Sequence, residues 1–277
     1  MAKLLLGKPV ADAIYERIAG VDLNPCLLLI RATNDSGSIS YEKMIIKKAK
    51  ENNIEIKQLH FAESVNSEIF SQELKRAADD EQVDAILVFK PLPREIRPYI
   101  LDDCMPADKD IDCVADKNAA RIYVDAAHKF SPATAQSVLE ILDFYDIGVE
   151  GKNVVIVGRS KVVGKPLSSM MLDKNATVTV AHSKTKNLSS ITKSADIVVL
   201  ATGKANAFGK EFFSRGQVVI DVGTNIGKDG KLTGDVDFEE VEPIVEAITP
   251  VPGGVGSVTT SILLRNVFKA KESLEWI

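Results

Sequence analysis

A tyrosine followed by several lysines, in the stretch SYEKMIIKKAK at residues 40–50, is the first candidate for chemistry. On a helix, which advances about 100° per residue, the side chain four positions after Tyr41 lies beside it. A lysine there would form a proton-transfer pair with the tyrosine, but the position holds Ile45, and only Lys48 returns to the tyrosine face. The local pattern favours a solvated amphipathic helix, with the proton-transfer pair as the alternative.

A glycine-containing turn is the strongest signal for binding. The stretch VVIVGRSKVVGKP, residues 154–166, runs from an apolar strand through Gly158 toward a predicted helix. Such a turn at the end of a strand in a parallel sheet offers backbone N–H groups to a nucleotide phosphate. A tight structural turn is the alternative, because Gly158 and Gly164 do not form the GxGxxG pattern.

Polar residues at two strand ends favour the nucleotide. Arg159 and Ser160 follow the first strand directly, and HSKT, residues 182–185, closes the next one. An arginine and a hydroxyl at these two ends suit a 2′-phosphate, which predicts NADP rather than NAD as cofactor.

A second loop combines prolines and glycines. In TPVPGGVGSVTT, residues 249–260, two prolines and three glycines precede a predicted helix. Such a loop can bring exposed backbone amides close to a ligand. A tight turn that crosses between domains is the alternative.

Short β-type runs alternate with amphipathic stretches, which predicts an α/β fold with parallel strands. The length of 277 residues indicates two lobes. Strands are predicted at residues 26–32, 54–61, 84–89, 154–158, 176–182, 196–202, 217–223 and 247–248. Helices are predicted near residues 8–19, 40–52, 67–80, 133–147 and 258–274.

Composition narrows the class of protein. The net charge of −5 gives no electrostatic reason to expect nucleic acid or an anionic membrane as partner. The three cysteines form no metal-ligand cluster with the three histidines, so we expect no metal and reduced thiols in a cytoplasmic protein. The apolar run at residues 4–6 meets Gly7 and Pro9 too soon for a signal peptide or membrane span.

The motifs together resemble the methylenetetrahydrofolate dehydrogenase/cyclohydrolase family of the FolD type. The resemblance rests on VGRSKVVGKP, PVPGGVG and GDVDF, and it extends through SxxY at 38–41, PLP at 91–93, DxD at 110–112 and IDVGTN at 220–225. It implies hydride transfer from 5,10-methylenetetrahydrofolate to NADP in one-carbon metabolism. In most members the same cleft then hydrolyses the methenyl product.

The resemblance also implies an architecture. It predicts a homodimer whose chain has two lobes, an N-terminal three-layer α/β domain and a C-terminal Rossmann-like NAD(P)-binding domain. The expected boundaries are 1–122 for the folate-binding catalytic domain, with a C-terminal helix at about 257–277 packing back on it, and 123–256 for the NADP-binding domain.

Site residues follow from the same resemblance. Tyr41 would stack on the reduced folate and Asp112 would accept hydrogen bonds from its pterin edge, which makes these two the catalytic candidates. The folate pocket would be shaped by Pro252 and Gly253. The cofactor would be bound by Gly158, Arg159, Ser160 and Ser183, with Thr224 near the nicotinamide.

Departures from the family pattern bear on the mechanism. Family members have a catalytic lysine where this chain has Ile45, and a glutamine that contacts it where this chain has Phe89. In addition, Cys113 replaces a glycine after the DxD motif, and PATAQS replaces the PCTPxG motif at 132–137. Apolar side chains cannot transfer protons, so we expect a dehydrogenase with weak or absent cyclohydrolase activity.

Three alternatives stay open. Lys48 or Lys90 could replace the missing lysine and keep both activities. The chain could be a non-catalytic paralogue that binds NADP and folate. It could also be a dehydrogenase for a different, less polar imine.

Overall fold

The computed structural model describes residues 1–97, 99–124, 129–227 and 230–272. They form two compact units. The six-strand unit comprises Met1–Ala13 and Ala133–Thr260, and the three-strand unit comprises the described residues of Ile14–Pro132 and Ser261–Ile277. Within the described ranges, no helix is both long and apolar enough to cross a lipid bilayer.

Strands and helices alternate along both units, as the sequence predicts. The strands of the described chain are β1 (Lys3–Leu4), β2 (Cys26–Arg31), β3 (Glu55–His60), β4 (Ala85–Val88), β5 (Asn153–Val157), β6 (Thr177–Ala181), β7 (Ile197–Leu200), β8 (Val218–Asp221), β9 (Asn225–Ile226), β10 (Leu232–Thr233) and β11 (Ala247–Ile248). Its α-helices are α1 (Gly7–Ala19), α2 (Ser36–Glu51), α3 (Ser67–Ala78), α4 (Tyr99–Cys104), α5 (Asp116–Ala120), α6 (Ala133–Phe144), α7 (Gly164–Asp173), α8 (Leu188–Lys193), α9 (Phe238–Val241) and α10 (Val255–Lys271).

The smaller unit contains a parallel sheet in the order β3-β2-β4. The central strand β2 and its neighbour β4 are buried, largely apolar runs because helices cover the sheet. Phe70 and Leu74 of α3 pack into the core beside Ile30 and Val88. Helix α10 contributes to the same unit, since the Asn266 side chain donates a hydrogen bond to the carbonyl oxygen of Ile111 at 2.9 Å. The predicted helical residues 273–277 lie outside the described residues.

The larger unit contains a parallel sheet in the order β1-β11-β8-β7-β5-β6. Its central strands β7 and β8 are fully buried Val/Ile-rich runs. This strand order, with β5 at the point where the chain reverses its direction across the sheet, is that of a doubly wound nucleotide-binding fold.

The N-terminal residues differ from the expected boundaries, which grouped them with the first lobe. Lys3 pairs with Ala247 and Leu4 with Ile248, so residues 1–13 belong to the six-strand unit. Leu5 is fully buried there. A strand of two residues is too short to give a periodic signal in the sequence, and its partner lies at the other end of the chain.

Candidate active site and cofactor site

Helix α2, which carries Tyr41, is fixed at its start by Asp35. The Asp35 carboxylate accepts hydrogen bonds from the Ser38 backbone N–H at 2.8 Å and from its hydroxyl at 3.0 Å. These bonds lower the pKa of Asp35. Ser38 Oγ also lies 3.2 Å from the carbonyl oxygen of Lys90. The serine of the SxxY motif therefore links the start of α2 to the residues that follow β4.

Apolar side chains occupy the two positions where the resemblance leads one to expect lysine and glutamine. Ile45 has no exposed surface, and Phe89 is 5% exposed. The Tyr41 and Phe89 rings meet edge to face, with centroids 6.1 Å apart and an interplanar angle of 82°. The structure thus places an aromatic contact beside Tyr41 and a fully buried apolar side chain at position 45.

The two substitute lysines have different surroundings. The Lys48 ammonium lies 2.7 Å from Glu51 Oε2 and 5.3 Å from the centroid of the Tyr15 ring, so it is engaged on its own helix. Lys90 is exposed, and its charge acts on the nearby Asp110. Of these two lysines, Lys90 is the one whose ammonium is available.

Asp110 organises the turn that carries Asp112. Its buried carboxylate accepts hydrogen bonds from the Val114 N–H at 2.8 Å, the Ala115 N–H at 3.1 Å and the Asn118 amide at 2.6 Å. Burial raises the pKa of Asp110 in spite of these bonds. The half-buried Asp112 follows two residues later. The first aspartate of the DxD motif is therefore a structural residue that places the second.

Cys113 occupies a left-handed backbone position directly after Asp112. Its φ of +50° is in the region that favours glycine, which is the residue that family members have there. The thiol is 8% exposed and donates to the carbonyl oxygen of Phe130 at 3.2 Å. Burial raises the pKa of Cys113 further above that of a free thiol, so it is a poor nucleophile.

Glu42, next to Tyr41, forms a polar cluster that connects α2 to two strands. Its carboxylate, 4% exposed, lies 2.7 Å from Arg31 Nε and 2.6 Å from His60 Nε2, and accepts from the Gln58 amide at 3.1 Å. Burial alone would raise the pKa of Glu42, but the hydrogen bonds from His60, Arg31 and Gln58 lower it. This cluster holds the helix that positions Tyr41.

In the six-strand unit, two glycines allow the turn after β5 to pack closely. Gly158 has a φ of +144°, and a Cβ atom there would lie 2.4 Å from the carbonyl oxygen of Ala201. A Cβ atom on Gly164 would lie 2.0 Å from the carbonyl oxygen of Gly158. These close contacts, at the end of β7 and the start of α7, explain the spacing of the two glycines. The interpretation of this segment as a tight structural turn is therefore correct in part.

The same turn borders a cavity of about 380 Å³ at the carboxyl ends of β5, β6 and β7. Four predicted cofactor residues line it together, Gly158, Arg159, Ser160 and Ser183, whereas Thr224 is not on its wall. The other lining residues are Val157, His182, Leu188, Ala201, Thr202, Lys204 and Phe208. A wall that combines cations, hydroxyls and apolar side chains matches a phosphorylated nucleotide with its base.

Asp235, in the GDVDF motif, holds the loop after β7. This carboxylate, with no exposed surface, accepts from the backbone N–H groups of Thr202, Gly203 and Lys204 at 2.5, 3.2 and 2.8 Å. It also accepts from the Asn225 amide at 3.0 Å, which fixes the residue after Thr224. Thr224 therefore lies in an ordered loop, although outside the wall of the cavity.

Asp221, at the end of β8, supports Asp235. It accepts hydrogen bonds from the backbone N–H groups of Gly223 at 2.8 Å, Asp235 at 3.0 Å and Val236 at 2.9 Å. Burial raises the pKa of Asp221 to about 6. A Cβ atom on Gly234 would lie 1.9 Å from Asp221 Oδ2, so the glycine is required for this contact.

Pro252 and Gly253 are exposed residues of the loop that precedes α10. Gly253 has a φ of +105°, and its carbonyl oxygen accepts from the Gly7 N–H at 2.7 Å. A Cβ atom on Gly254 would lie 2.5 Å from the carbonyl oxygen of Pro250. The loop is thus packed against the start of α1 within its own unit.

Sequence reasoning missed several polar residues near these sites. Lys204 and His182 line the cavity, and Glu42 and Asp235 hold the elements that carry site residues. One signal was present for Lys204, since it lies two residues after a predicted strand whose carboxyl end is at the same edge of the sheet as Gly158.

Comparison with protein families gives two matches along the chain. Residues 5–112 match the catalytic domain of tetrahydrofolate dehydrogenase/cyclohydrolase. Residues 132–275 match the NAD(P)-binding domain of the same family. The second match contains all five predicted cofactor residues, and it confirms the expectation of a nicotinamide cofactor.

Individual relatives agree along nearly their whole length. The bifunctional protein FolD of Clostridium botulinum (strain 657 / Type Ba4) is 44% identical over 279 residues, which cover 98% of this chain and 99% of the relative. The crystal structure of bifunctional FolD from Campylobacter jejuni has a TM-score of 0.93 at 35% identity and covers 99% of this chain and 100% of that one. The structure of Trypanosoma brucei FolD, a complex with NADP cofactor and inhibitor, has a TM-score of 0.90 at 31% identity and covers 99% of each chain.

These matches confirm the predicted α/β fold with its catalytic and NAD(P)-binding domains. They extend over both units and agree with the cavity beside Gly158. The chain therefore belongs to the tetrahydrofolate dehydrogenase/cyclohydrolase family of enzymes.

Proposed function

We propose that this protein oxidises 5,10-methylenetetrahydrofolate to 5,10-methenyltetrahydrofolate with NADP, and that its cyclohydrolase activity is weak or absent. The observation that carries the proposal is the apolar surroundings of Tyr41, where Ile45 is fully buried and Phe89 packs edge to face. The cofactor assignment is supported by the cationic cavity wall and by the NADP bound to the Trypanosoma brucei relative. A cytoplasmic homodimer is part of the proposal.

The oxidation needs alignment more than proton transfer. Bound NADP supplies the acceptor for the hydride that leaves the methylene carbon, while a folate nitrogen lone pair forms the iminium bond. The task of the protein is to hold the folate in line with the nicotinamide. We assign stacking on the folate to Tyr41 and hydrogen bonding of its pterin edge to Asp112. Neither task depends on a lysine at position 45.

Hydrolysis of the methenyl product makes a different demand. Water must add to the iminium carbon, and protons must then move as the ring opens. A positioned general acid or base contributes about 100- to 10,000-fold to such a step. Isoleucine and phenylalanine have no ionisable group, so positions 45 and 89 contribute nothing to it. The assay must therefore test whether this chain lacks the second activity that the name of its bifunctional relatives implies.

One assay tests both parts of the proposal. Purified protein is mixed with methylenetetrahydrofolate and NADP, and absorbance is followed separately for NADPH and for the methenyl product. We expect both signals to rise together and the methenyl signal to persist. Methenyl hydrolysis well above the rate in buffer would contradict the dehydrogenase-only activity. NADP binding without turnover would favour a non-catalytic paralogue.

A bifunctional enzyme that uses Lys90 is the second candidate. It is favoured by the exposed ammonium of Lys90, which follows Phe89 and acts electrostatically on Asp110. Any hydrolysis above background should then fall in Lys90→Gln and persist in Lys48→Gln, because Lys48 is engaged by Glu51 and Tyr15. Equal hydrolysis by the two variants would remove Lys90 from consideration.

A further inference from the structure

Among the described residues that line the cofactor cavity, two have cationic side chains and none has a carboxylate. Arg159 follows β5 and Lys204 follows β7, so they reach the cavity from different strand ends. Within the described part of the chain, neither side chain forms a salt bridge. Two unpaired cations on one cavity repel each other and favour an anionic ligand between them.

The backbone of Lys204 is fixed before any ligand binds. Asp235 accepts the N–H of Lys204 at 2.8 Å and the N–H of Gly203 at 3.2 Å. Gly203 has a φ of +66°, which turns the chain at this point. Because the backbone is already fixed and the lysine side chain is exposed, ligand binding has to restrict only the rotamers of that side chain.

A third donor comes from His182 after β6. Its Nδ1 accepts a hydrogen bond from the Lys184 N–H at 3.1 Å, so the neutral ring carries its hydrogen on Nε2. Ser183 adds a hydroxyl to the same wall. Cations and donors from all three strand ends thus line one cavity, whereas the ribose of NAD would need a carboxylate acceptor for its 2′-hydroxyl.

We propose that Lys204 is a second determinant of NADP selectivity and binds the 2′-phosphate together with Arg159. The inference rests on the proposed use of NADP. A phosphate monoester has its second pKa at about 6 and carries close to two negative charges at neutral pH. Two cations match that charge, and the arginine fork fixes the orientation of the phosphate. Lys204 acts as a point charge from the end of the neighbouring strand β7.

Titration calorimetry with adenosine 2′,5′-diphosphate and with 5′-AMP tests the assignment. The ligands differ only in the 2′-phosphate. We expect Lys204→Gln to weaken binding of the diphosphate about ten-fold and to change 5′-AMP binding by less than about two-fold. Arg159→Gln should show the same selectivity with a larger loss. Lys193→Gln, at the exposed end of α8, is the matched control and should bind both ligands like the unmodified protein.

Two outcomes would overturn the proposal. An equal loss for both ligands would place Lys204 at the base or at the 5′-phosphate, and an unchanged affinity for the diphosphate would remove it from the site. Thermal unfolding of each variant distinguishes a lost contact from a lost fold. The titration contains no folate, so a failure of the proposed dehydrogenase activity would show in the turnover assay and leave this result interpretable.

Discussion

At the scale of single residues, the proposed weakness of the cyclohydrolase activity rests on Ile45 and Phe89, the apolar neighbours of Tyr41. An isoleucine with no exposed surface excludes water as well as charge from the position one helical turn after the tyrosine. The edge-to-face contact with Phe89 gives Tyr41 an aromatic neighbour at the position where the resemblance predicts a glutamine. In the proposed function, both changes lower the capacity for proton transfer without removing the aromatic surface.

Restoring the polar pair should restore hydrolysis. In the variant Ile45→Lys with Phe89→Gln, we expect methenyl hydrolysis to rise at least about ten-fold over the unmodified protein, because a proton-transfer group and its partner return together. Ile45→Lys alone should lower the melting temperature, since it places an unpaired ammonium in a fully buried position. We expect hydride transfer to continue in both variants.

The volume-conserving change Ile45→Met is the control for disturbed packing. It should leave both hydrolysis and stability close to those of the unmodified protein. A folded double variant that hydrolyses the methenyl product no faster than the Ile45→Met protein would show that other positions limit this activity.

At the scale of elements, α2 is held at its start by Asp35 and about two turns later by Glu42. Replacing Glu42 with Gln keeps the shape but removes the charge that pairs with Arg31. We expect a loss of about 2 kcal/mol in the free energy of unfolding at neutral pH, below the range for fully buried pairs because His60 is half exposed. Urea unfolding measures the change. Glu51→Gln, which removes an exposed pair on the same helix, should change stability little.

The Glu42 effect should depend on pH in a defined direction. Its pKa is lowered on folding, so its contribution is present above the ordinary value of 4.5 and is lost as the pH falls through the folded pKa. The difference in stability between the unmodified protein and Glu42→Gln should therefore shrink below about pH 4.5. A difference that stays constant from pH 7 to pH 4 would rule out the charged carboxylate as its source.

The loops after β7 and β8 should respond to pH in the opposite direction. The pKa of Asp221 is raised to about 6, so the charged carboxylate is disfavoured by folding, and its contribution to stability is lost as the pH rises through that value. We expect the unfolding free energy of the unmodified protein, relative to Asp221→Asn, to fall by about 1.5 kcal/mol between pH 5 and pH 7. The variant lacks a hydrogen bond at every pH, which adds a constant to the stability difference. The measurement is therefore the change of that difference with pH. A relative stability independent of pH would contradict the raised pKa.

At the scale of the whole molecule, the three cysteines all belong to the three-strand unit and are buried. Burial raises the pKa of Cys26 to about 11. Since the thiolate is the reactive form, we expect the folded protein to react slowly with a thiol reagent such as DTNB, and rapidly only when urea opens this unit. Fast stoichiometric labelling without denaturant would contradict the burial.

The sequence predicts local order well and distant polar contacts poorly. Buried strands such as Val154–Val157 are evident because parallel strands covered on both faces are continuous apolar runs. Arg159 and Ser183 could be grouped because strand ends meet at one edge of a sheet. The hydrogen bond from the Lys204 N–H to Asp235 could not be predicted, since it joins residues 31 positions apart and has no periodic signal. The polar cluster around Glu42 could not be predicted for a similar reason, because its partners lie on two separate strands.

The pairing of β1 with β11 has a consequence for biosynthesis. Lys3 leaves the ribosome long before Ala247, its partner in the sheet. The six-strand sheet can therefore gain its outer strand only after almost the whole described chain has been translated. Until then, the apolar segment around Leu5 is without its native cover and is open to non-native contacts.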